Sequence, residues 1–312
     1  MPKWTSADIP DLHEKLAIVT GANSGLGLET TRALARRGAT VIMACRSEGK
    51  AQAAIDELLA DGIERERLEL RTLDLSSLAS IRSFAAAVSE AHPKIDLLIN
   101  NAGVMALPYS KTAEGFEMQI GTNHLGHFAL TGLLIDRLLA SPAARVVTVS
   151  SLMHKLGTIR LHDLSWERGY RRWPAYSQSK LANLLFCFEL QRRLEAARSP
   201  VLSLASHPGY ASTNLQTAGP RMRGASLATR VFELGNRTLA QDAAGGALPS
   251  LYAATAGEVG GGEYFGPDGV MEIAGAPRRV KAVSRAYDRE LGRRLWALSE
   301  ELTGVEYSVL GS

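Results

Sequence analysis

Two residues four positions apart in the segment AYSQSKLAN, Tyr176 and Lys180, form the first candidate for acid–base chemistry. On a helix, residues i and i+4 share a face, so the Lys180 ammonium would lie near the Tyr176 phenol. A free tyrosine has a pKa of ~10, but a nearby cation stabilises the phenolate and lowers that pKa. The pair therefore predicts a tyrosine general acid/base. Taken alone such a pair is more often structural, so other motifs must support it.

Two serines give part of that support. The segment ARVVTV (144–149) has the apolar pattern of a buried strand and ends directly before Ser150 and Ser151. Ligands of open α/β sheets bind at the carboxyl ends of the strands, so a serine hydroxyl there could hold a substrate oxygen. A helix N-cap or turn serine is the alternative interpretation.

Three glycines in TGANSGLG (20–27) indicate a phosphate site. Gly21, Gly25 and Gly27 lie between the apparent strand LAIVT and an apparent helix. A helix N-terminus offers free N–H groups and a positive dipole end to a phosphate, and glycines let the phosphate oxygens approach the backbone. The spacing is G-x-x-x-G-x-G rather than the general G-x-G-x-x-G, so a plain turn stays possible on this motif alone.

The end of the next strand, TVIMAC (40–45), predicts which dinucleotide binds. An acid about 20 residues beyond the glycines holds the ribose of NAD, whereas a basic residue accommodates the 2′-phosphate of NADP. Here Arg46 follows the strand, Lys50 comes one turn later, and Glu48 lies past the strand end. The sequence therefore predicts NADP(H) in preference to NAD(H), with a surface arginine as the alternative.

Apolar runs that alternate with helical patterns define the fold class. Strands alternating with helices make βαβ units, and these make a parallel sheet covered on both faces. We predict an α/β fold, a doubly wound parallel sheet of Rossmann type with six or seven strands, as a single domain over residues 1–312. Segment 209–237 is a candidate substrate lid or a surface excursion. The strand runs are LAIVT (16–20), TVIMAC (40–45), LELRTL (68–73), DLLIN (96–100), ARVVTVS (144–150) and VLSLAS (201–206).

Composition and charge exclude several classes of protein. The net charge is only +3 and the basic residues are scattered, so no stripe for nucleic acid is present. Cys45 and Cys187 lie in apolar stretches, as reduced core thiols do. His124 and His127 lie three apart, but no Cys, Asp or Glu cluster completes a metal site, so none is predicted. No segment approaches the ~20 apolar residues of a membrane span or resembles a signal peptide, and we expect a cytoplasmic protein.

Together these motifs resemble the short-chain dehydrogenase/reductase family, from about residue 14 to about residue 270. TGANSGLG matches the family's TGxxxGxG turn, NNAG (100–103) its fourth-strand signature, and HPGYAST (207–213) its Pro-Gly segment after the sixth strand. The resemblance implies four catalytic residues, Asn123, Ser151, Tyr176 and Lys180. It implies these cofactor-binding residues: Gly21, Asn23, Ser24, Gly25, Leu26, Gly27, Arg46, Asp74, Leu75, Asn101, Ala102, Gly103, Tyr176, Lys180, Pro208, Gly209 and Thr213.

The resemblance also implies a role for each catalytic residue. Tyr176 would exchange a proton with the carbonyl or alcohol oxygen, while NADP(H) exchanges a hydride with the carbon. Ser151 would hydrogen-bond the developing alkoxide. Lys180 would depress the pKa of Tyr176 and hold ribose hydroxyls, and Asn123 would position a water that links Lys180 to solvent.

Within the family, ACR (44–46) and YSQSKLANLLF (176–186) resemble the retinol dehydrogenase and WW-domain oxidoreductase branch, with protochlorophyllide reductases more distant. An insertion at 152–174 resembles that of the same branch and is expected to rim the substrate pocket. The N-terminus lacks the membrane-anchoring helix of several animal members, which makes retinoid a less expected substrate. Apolar lid and insertion residues favour a lipophilic or aromatic substrate, although ordinary loop packing explains them nearly as well: Leu215, Phe232, Leu234, Trp166, Tyr170 and Trp173.

The main hypothesis is an NADP-dependent carbonyl reductase or alcohol dehydrogenase with a small-molecule substrate. The alternatives are a non-catalytic NADP-binding regulatory protein on the same fold, or an enzyme like protochlorophyllide reductase. The complete catalytic set favours an enzyme, because a pure binder does not need the Tyr176 and Lys180 pairing. By analogy with the family, a homodimer or homotetramer is expected, and the apolar face of LLFCFELQ (184–191) would pack against its own sheet or a second subunit.

Overall fold

All strands of the described residues, 3–210 and 242–311, belong to one sheet in the computed structural model. Their order is β3-β2-β1-β4-β5-β6-β7-β8, and β8 alone runs antiparallel to its neighbour. The predicted doubly wound parallel sheet is therefore confirmed, with one edge strand that was not predicted. The strands are β1 (Leu16–Thr20), β2 (Thr40–Cys45), β3 (Leu68–Thr72), β4 (Leu97–Asn100), β5 (Arg145–Val149), β6 (Leu202–Ser206), β7 (Tyr264–Pro267) and β8 (Pro277–Arg279).

Helices lie on both faces of this sheet. A π-helical turn over Gly121–Leu125 joins the helix that ends at Ile120 to the helix that begins at Gly126. The helices are α1 (Gly25–Arg36), α2 (Glu48–Ala60), α3 (Leu78–Ala91), α4 (Met118–Ile120), α5 (Gly126–Leu133), α6 (Ile135–Leu139), α7 (Arg172–Ala196), α8 (Ala243–Thr255) and α9 (Arg289–Thr303). None of these helices is long and apolar enough to cross a membrane.

The central strand β1 is buried on both sides, which explains its unbroken apolar sequence. Successive side chains of a strand point to opposite faces. Leu16 and Ile18 accordingly join the core under α3, α5 and α7, whereas Ala17 and Val19 join the core under α1, α2 and α8.

Helix α7 is covered by the chain's own C-terminal helix. Ring centroids of Phe186 lie 5.7 Å from Phe128 of α5 and 5.8 Å from Trp296 of α9. The apolar face of LLFCFELQ therefore packs within the chain, partly against α9, an element that neither sequence alternative had named.

The strand order reverses between β1 and β4, and the carboxyl ends of these strands face a crevice, as in other doubly wound sheets. The turns after β1, β2, β4 and β5 therefore converge at one edge. Residues 211–237 of the predicted lid lie outside the described residues.

Candidate active site

A cavity of about 750 Å³ opens at the carboxyl edge of β1, β2 and β4. Its lining also includes Lys50, Val104 and Thr122. Tyr176, Lys180, Pro208 and Gly209 are not part of this lining, and Thr213 lies outside the described residues. The predicted cofactor residues that line the cavity are Gly21, Asn23, Ser24, Gly25, Leu26, Gly27, Arg46, Asp74, Leu75, Asn101, Ala102 and Gly103.

The glycine turn has the backbone geometry that its sequence predicts. Gly21 and Gly25 have φ values of +67° and +52°, in the left-handed region that favours glycine. Gly27 has no room for a side chain, because a Cβ there would collide with the Gly21 carbonyl and lie 2.7 Å from Asn101 Nδ2. The turn thus presents bare backbone at the N-terminus of α1, which fits a pyrophosphate.

A buried hydrogen-bond chain joins this turn to the π-helical turn Gly121–Leu125. The Thr20 hydroxyl accepts the N–H groups of Asn101 and Ala102, each at 2.9 Å, and lies 2.9 Å from His127 Nε2. Burial lowers the pKa of His127 to about 4, so the ring is neutral. Its Nδ1, 3.0 Å from the Asn123 carbonyl, then carries the proton, and Nε2 accepts from Thr20.

This role of Thr20 and His127 was not predicted from the sequence. His127 was considered there only as a metal ligand, and that role was rejected. The available signal was the threonine that precedes Gly21 and the histidine four residues after Asn123. Its neighbour His124 is also buried, with Nε2 2.9 Å from Ser299 Oγ. In the described ranges, no three His, Cys, Asp or Glu side chains lie together as a metal ion would require.

Basic side chains border the cavity beyond β2, and the acids nearby are engaged elsewhere. Arg46 and Lys50 both line the cavity and are exposed. Glu48 accepts a hydrogen bond of 2.7 Å from the Thr72 hydroxyl. Glu57, which also lines the cavity, accepts one of 2.5 Å from Arg32. Arg46 and Lys50 are therefore the cations that a ligand phosphate could contact at this border.

Asn123 lies in the π-helical turn and clamps the loop that follows β4. Its Oδ1 accepts the Val104 N–H at 2.8 Å, and its Nδ2 donates to the Val104 carbonyl at 2.9 Å. A Cβ on Gly103 would lie 3.2 Å from Asn123 Oδ1 and 3.6 Å from Lys180 Nζ. The structure thus brings Gly103, Asn123 and Lys180 together.

The end of β5 is bonded to α7 and positions Ser151 beside Tyr176. The Ser150 hydroxyl donates to the Lys180 carbonyl at 2.8 Å, so Ser150 has a structural role. Lys180 Nζ donates to the Val149 carbonyl at 3.1 Å. Ser151 is partly exposed and hydrogen-bonds Tyr176. Of the two candidate serines, Ser151 is therefore the one beside the Tyr176 phenol.

The pKa of Tyr176 moves opposite to the expected direction. Burial raises it to about 12, opposed by the hydrogen bond with Ser151. Burial also lowers the pKa of Lys180 to about 8. The expected depression by Lys180 is wrong for this geometry, because Nζ lies 5.8 Å from the Tyr176 ring centroid and donates to the Val149 carbonyl.

The insertion 152–174 lies against the loop after β4 and the start of α7. The Tyr170 hydroxyl donates to the Leu107 carbonyl at 2.7 Å and accepts from Gln119 Nε2 at 2.9 Å. Trp173 is 44% exposed and its ring contacts that of Tyr176 edge-on at 6.4 Å. Trp166, by contrast, is buried in the fold beneath Arg160. Leu215, Phe232 and Leu234 lie outside the described residues.

Comparison with known proteins gives a consistent result over nearly the whole chain. The family model for short chain dehydrogenase matches residues 15–223. Human retinol dehydrogenase 13 is 44% identical over 296 residues, which cover 94% of this chain and 85% of the human one. Mouse retinol dehydrogenase 14 is 41% identical over 306 residues, which cover 94% of this chain and 87% of its own.

Solved structures agree with these sequence matches. The crystal structure of an uncharacterized protein from Mycobacterium Paratuberculosis is 48% identical, with a TM-score of 0.81 over 98% of this chain and 99% of its own. A short chain dehydrogenase/reductase from Burkholderia phymatum in complex with NAD is 24% identical, with a TM-score of 0.60 over 78% of this chain and 86% of its own. A variant of actinorhodin polyketide ketoreductase with NADPH is 26% identical, with a TM-score of 0.58 over 78% of this chain and 91% of its own.

Proposed function

Since the chain belongs to the short-chain dehydrogenase/reductase family, in its retinol dehydrogenase branch, we propose that it is an NADP(H)-dependent oxidoreductase that interconverts a carbonyl and an alcohol. Tyr176 is its acid/base, and its substrate is lipophilic or aromatic. The family binds NAD(P) and acts on small molecules, so the proposal adds the cofactor preference, the catalytic residues and the substrate class.

The observation that carries the proposal is the convergence of four side chains beside the cavity. Ser151 hydrogen-bonds Tyr176. Lys180 and Asn123 both lie next to Gly103, and Gly103 lines the cavity. A protein that only binds a dinucleotide has no need of a buried phenol and ammonium beside it. This arrangement supports turnover over a purely regulatory role.

The residues present fit a dinucleotide. The bare turn Gly21–Gly27 would receive the pyrophosphate, and Asp74 and Leu75 would border the adenine. NADP(H), when bound, supplies or accepts the hydride. Lys180 would hold the ribose hydroxyls, and Pro208 and Gly209 would border the nicotinamide.

The protein's own contribution to the chemistry is proton transfer and charge stabilisation. The pKa of Tyr176, about 12, keeps Oη protonated at neutral pH, so Oη has a proton to give to a carbonyl oxygen. Ser151 would hydrogen-bond the same oxygen as negative charge develops there. Lys180, with a pKa of about 8, is mostly charged at neutral pH, as a donor to the ribose hydroxyls should be. Asn123 would position a water that returns the proton from solvent.

The NADP preference rests on the charges beyond β2. Arg46 and Lys50 border the cavity, while Glu48 and Glu57 are engaged by Thr72 and Arg32. A 2′-phosphate at this border would meet two cations, while both nearby carboxylates already accept hydrogen bonds from other side chains. Arginine suits this role because its guanidinium can bind phosphate in a bidentate geometry.

The lipophilic substrate class rests on two observations. Retinol, in the names of the relatives, is a lipophilic alcohol, and the half-exposed Trp173 lies beside Tyr176. Cytoplasmic location and a homo-oligomer remain predictions from the sequence.

The test is titration of the purified protein with NADPH and NADH, followed by loss of nicotinamide fluorescence with a panel of lipophilic aldehydes and ketones. We expect tighter NADPH binding and turnover that disappears in Tyr176→Phe. Tight binding with no turnover across the panel would favour the regulatory alternative. Failure of both cofactors to bind would contradict the proposal.

A further inference from the structure

The loop between β7 and β8 has an unusual backbone. Met271 and Glu272 have φ values of 54° and 60°, a left-handed conformation that residues other than glycine rarely adopt. Val270 and Met271 are 84% and 78% exposed, whereas the Glu272 side chain is only 17% exposed. The loop therefore accepts an unfavourable backbone in which one carboxylate turns inward and its neighbours face solvent.

The Glu272 carboxylate contacts two loops of the candidate site. Its Oε2 lies 3.1 Å from His207 Nε2 and 3.5 Å from Lys155 Nζ. His207 follows β6, and Lys155 follows Ser151 in the insertion after β5. One side chain therefore joins the two loops that leave adjacent strands beside Tyr176.

On the β6 side, His207 connects Glu272 to the Pro-Gly segment. His207 Nδ1 accepts the Gly209 N–H at 3.1 Å. Burial lowers the pKa of His207, so the ring is neutral and its remaining proton sits on Nε2, facing Glu272. The loop between β7 and β8 makes a second contact with this segment, because the Tyr210 N–H donates to the Ile273 carbonyl at 2.8 Å.

On the β5 side, Lys155 belongs to the short helical segment that begins after Ser151. His154 Nδ1 lies 2.7 Å from the Ser151 carbonyl, and its Nε2 accepts the Val283 N–H at 3.4 Å. Arg285 donates to the Lys155 carbonyl at 2.6 Å. Val283 and Arg285 therefore hold the backbone of Ser151, through His154, and the backbone of Lys155.

We propose that Glu272 is a positioning residue that fixes the Pro208–Gly209 segment relative to Ser151. It acts through His207 on one loop and through Lys155 on the other, and so sets where the nicotinamide end of the cofactor lies against the reactive side chains. The proposal rests on the proposed function, because Pro208 and Gly209 are assigned there to the nicotinamide.

The test compares a whole cofactor with its adenosine half. Wild type, Glu272→Ala, Glu272→Gln and the control Glu258→Ala, an exposed acid, are titrated calorimetrically with NADPH and with 2′,5′-ADP. Glu272→Ala should weaken NADPH binding about tenfold, the loss typical of one hydrogen bond to a charged group, and change 2′,5′-ADP binding less than about twofold. Glu272→Gln, whose amide oxygen can accept from His207 Nε2, should fall between Glu272→Ala and wild type. Glu258→Ala should match wild type.

Unchanged NADPH affinity in Glu272→Ala, or a parallel loss for both ligands, would overturn the positioning role. Equal affinity of wild type for NADPH and 2′,5′-ADP would also contradict it. If Glu272→Ala does not fold, Glu272→Gln and Lys155→Met are judged by the same ratio. Wild type that binds neither NADPH nor NADH contradicts the proposed function itself, before any variant is compared. If NADH is preferred, NADH and ADP replace the two ligands.

Discussion

The two ends of the candidate site are built differently. At the adenosine end, the ligand surface is mainly backbone, from Gly21 and Gly27, with exposed Arg46 and Lys50 at its border. At the reaction end, Tyr176 and Lys180 are only 6% and 4% exposed, Ser151 hydrogen-bonds the Tyr176 phenol, and Lys180 Nζ donates to the Val149 carbonyl.

Because of this difference, we expect the adenosine end to contribute mainly to cofactor affinity and the reaction end mainly to the reaction rate. Exposed charges near solvent interact with a ligand charge at modest strength and are screened by salt. Buried ionisable groups have shifted pKa values, and these shifts define what proton transfer can occur. Substitutions at the adenosine end should therefore change binding, and substitutions at the reaction end should change rate or pH dependence.

The largest effect is expected for Tyr176→Phe, because removing a general acid costs roughly 10²–10⁴ in rate. NADPH affinity should stay within about threefold of wild type, since the phenol contributes at most one hydrogen bond to cofactor binding. The measurement is kcat/KM on the best carbonyl of the panel, together with the NADPH Kd. Tyr287→Phe, an exposed tyrosine stacked on Phe188, is the control. Near wild-type turnover in Tyr176→Phe would contradict the acid/base role of Tyr176 and the expectation that substitutions at the reaction end change the rate.

The second effect concerns the cost of burying Lys180. Its folded-state pKa of about 8 lies below its ordinary value of 10.5. Between these pH values the unfolded state binds more protons, so wild-type stability rises with pH through this group. The rise is at most about 3 kcal/mol and should be absent in Lys180→Met.

Urea unfolding of wild type and Lys180→Met from about pH 7 to pH 10 measures this difference. Lys281→Met, an exposed lysine, serves as the control and should follow wild type. Parallel stability curves for wild type and Lys180→Met would mean that Lys180 is not desolvated, and the reaction end would then resemble the adenosine end.

Arg46→Ala should weaken NADPH selectively, since a hydrogen bond to a charged group contributes about 1.5–3 kcal/mol. NADH lacks the 2′-phosphate, so its affinity should hardly change. Titration of both cofactors at two salt concentrations measures the effect, and the NADPH difference should shrink at higher salt. Arg36→Ala, an exposed arginine of α1, is the control. Equal losses for both cofactors would contradict the 2′-phosphate role.

Much of the fold could be predicted because local patterns determine it. Strands β1 and β2 have the predicted bounds, since both are buried on both faces and end at turn residues. Strand β8 was missed because Pro277–Arg279 has no apolar pattern and exists through its pairing with β7. The π-helical turn was not predicted because all five of its residues are buried, so hydrophobic periodicity carries no signal there.

The parts of the site that lie in contiguous motifs could be predicted, and the parts that depend on tertiary contacts could not. The turn after β1 and the basic residue after β2 are contiguous motifs, and both line the cavity. The direction of the Tyr176 pKa could not be read from the i, i+4 spacing, because it depends on burial and on the Val149 carbonyl that binds Lys180. The Thr20 and His127 link depends on residues 107 positions apart and has no local pattern.

The smallest effect separates backbone from side chain at the adenosine end itself. In Gly27→Ala, the new Cβ would collide with the Gly21 carbonyl and crowd Asn101 Nδ2, so the turn must open. Overpacking of this kind costs about 1–3 kcal/mol, and both NADPH and NADH should bind more weakly because the pyrophosphate contact is common to both. Gly49→Ala is the matched control, since nothing lies within 4 Å of its Cβ and alanine favours a helix. Thermal unfolding and titration with both cofactors measure the pair. If Gly27→Ala bound both cofactors as tightly as Gly49→Ala does, the phosphate site would not depend on a bare backbone. The adenosine end would then not differ from the reaction end in this respect.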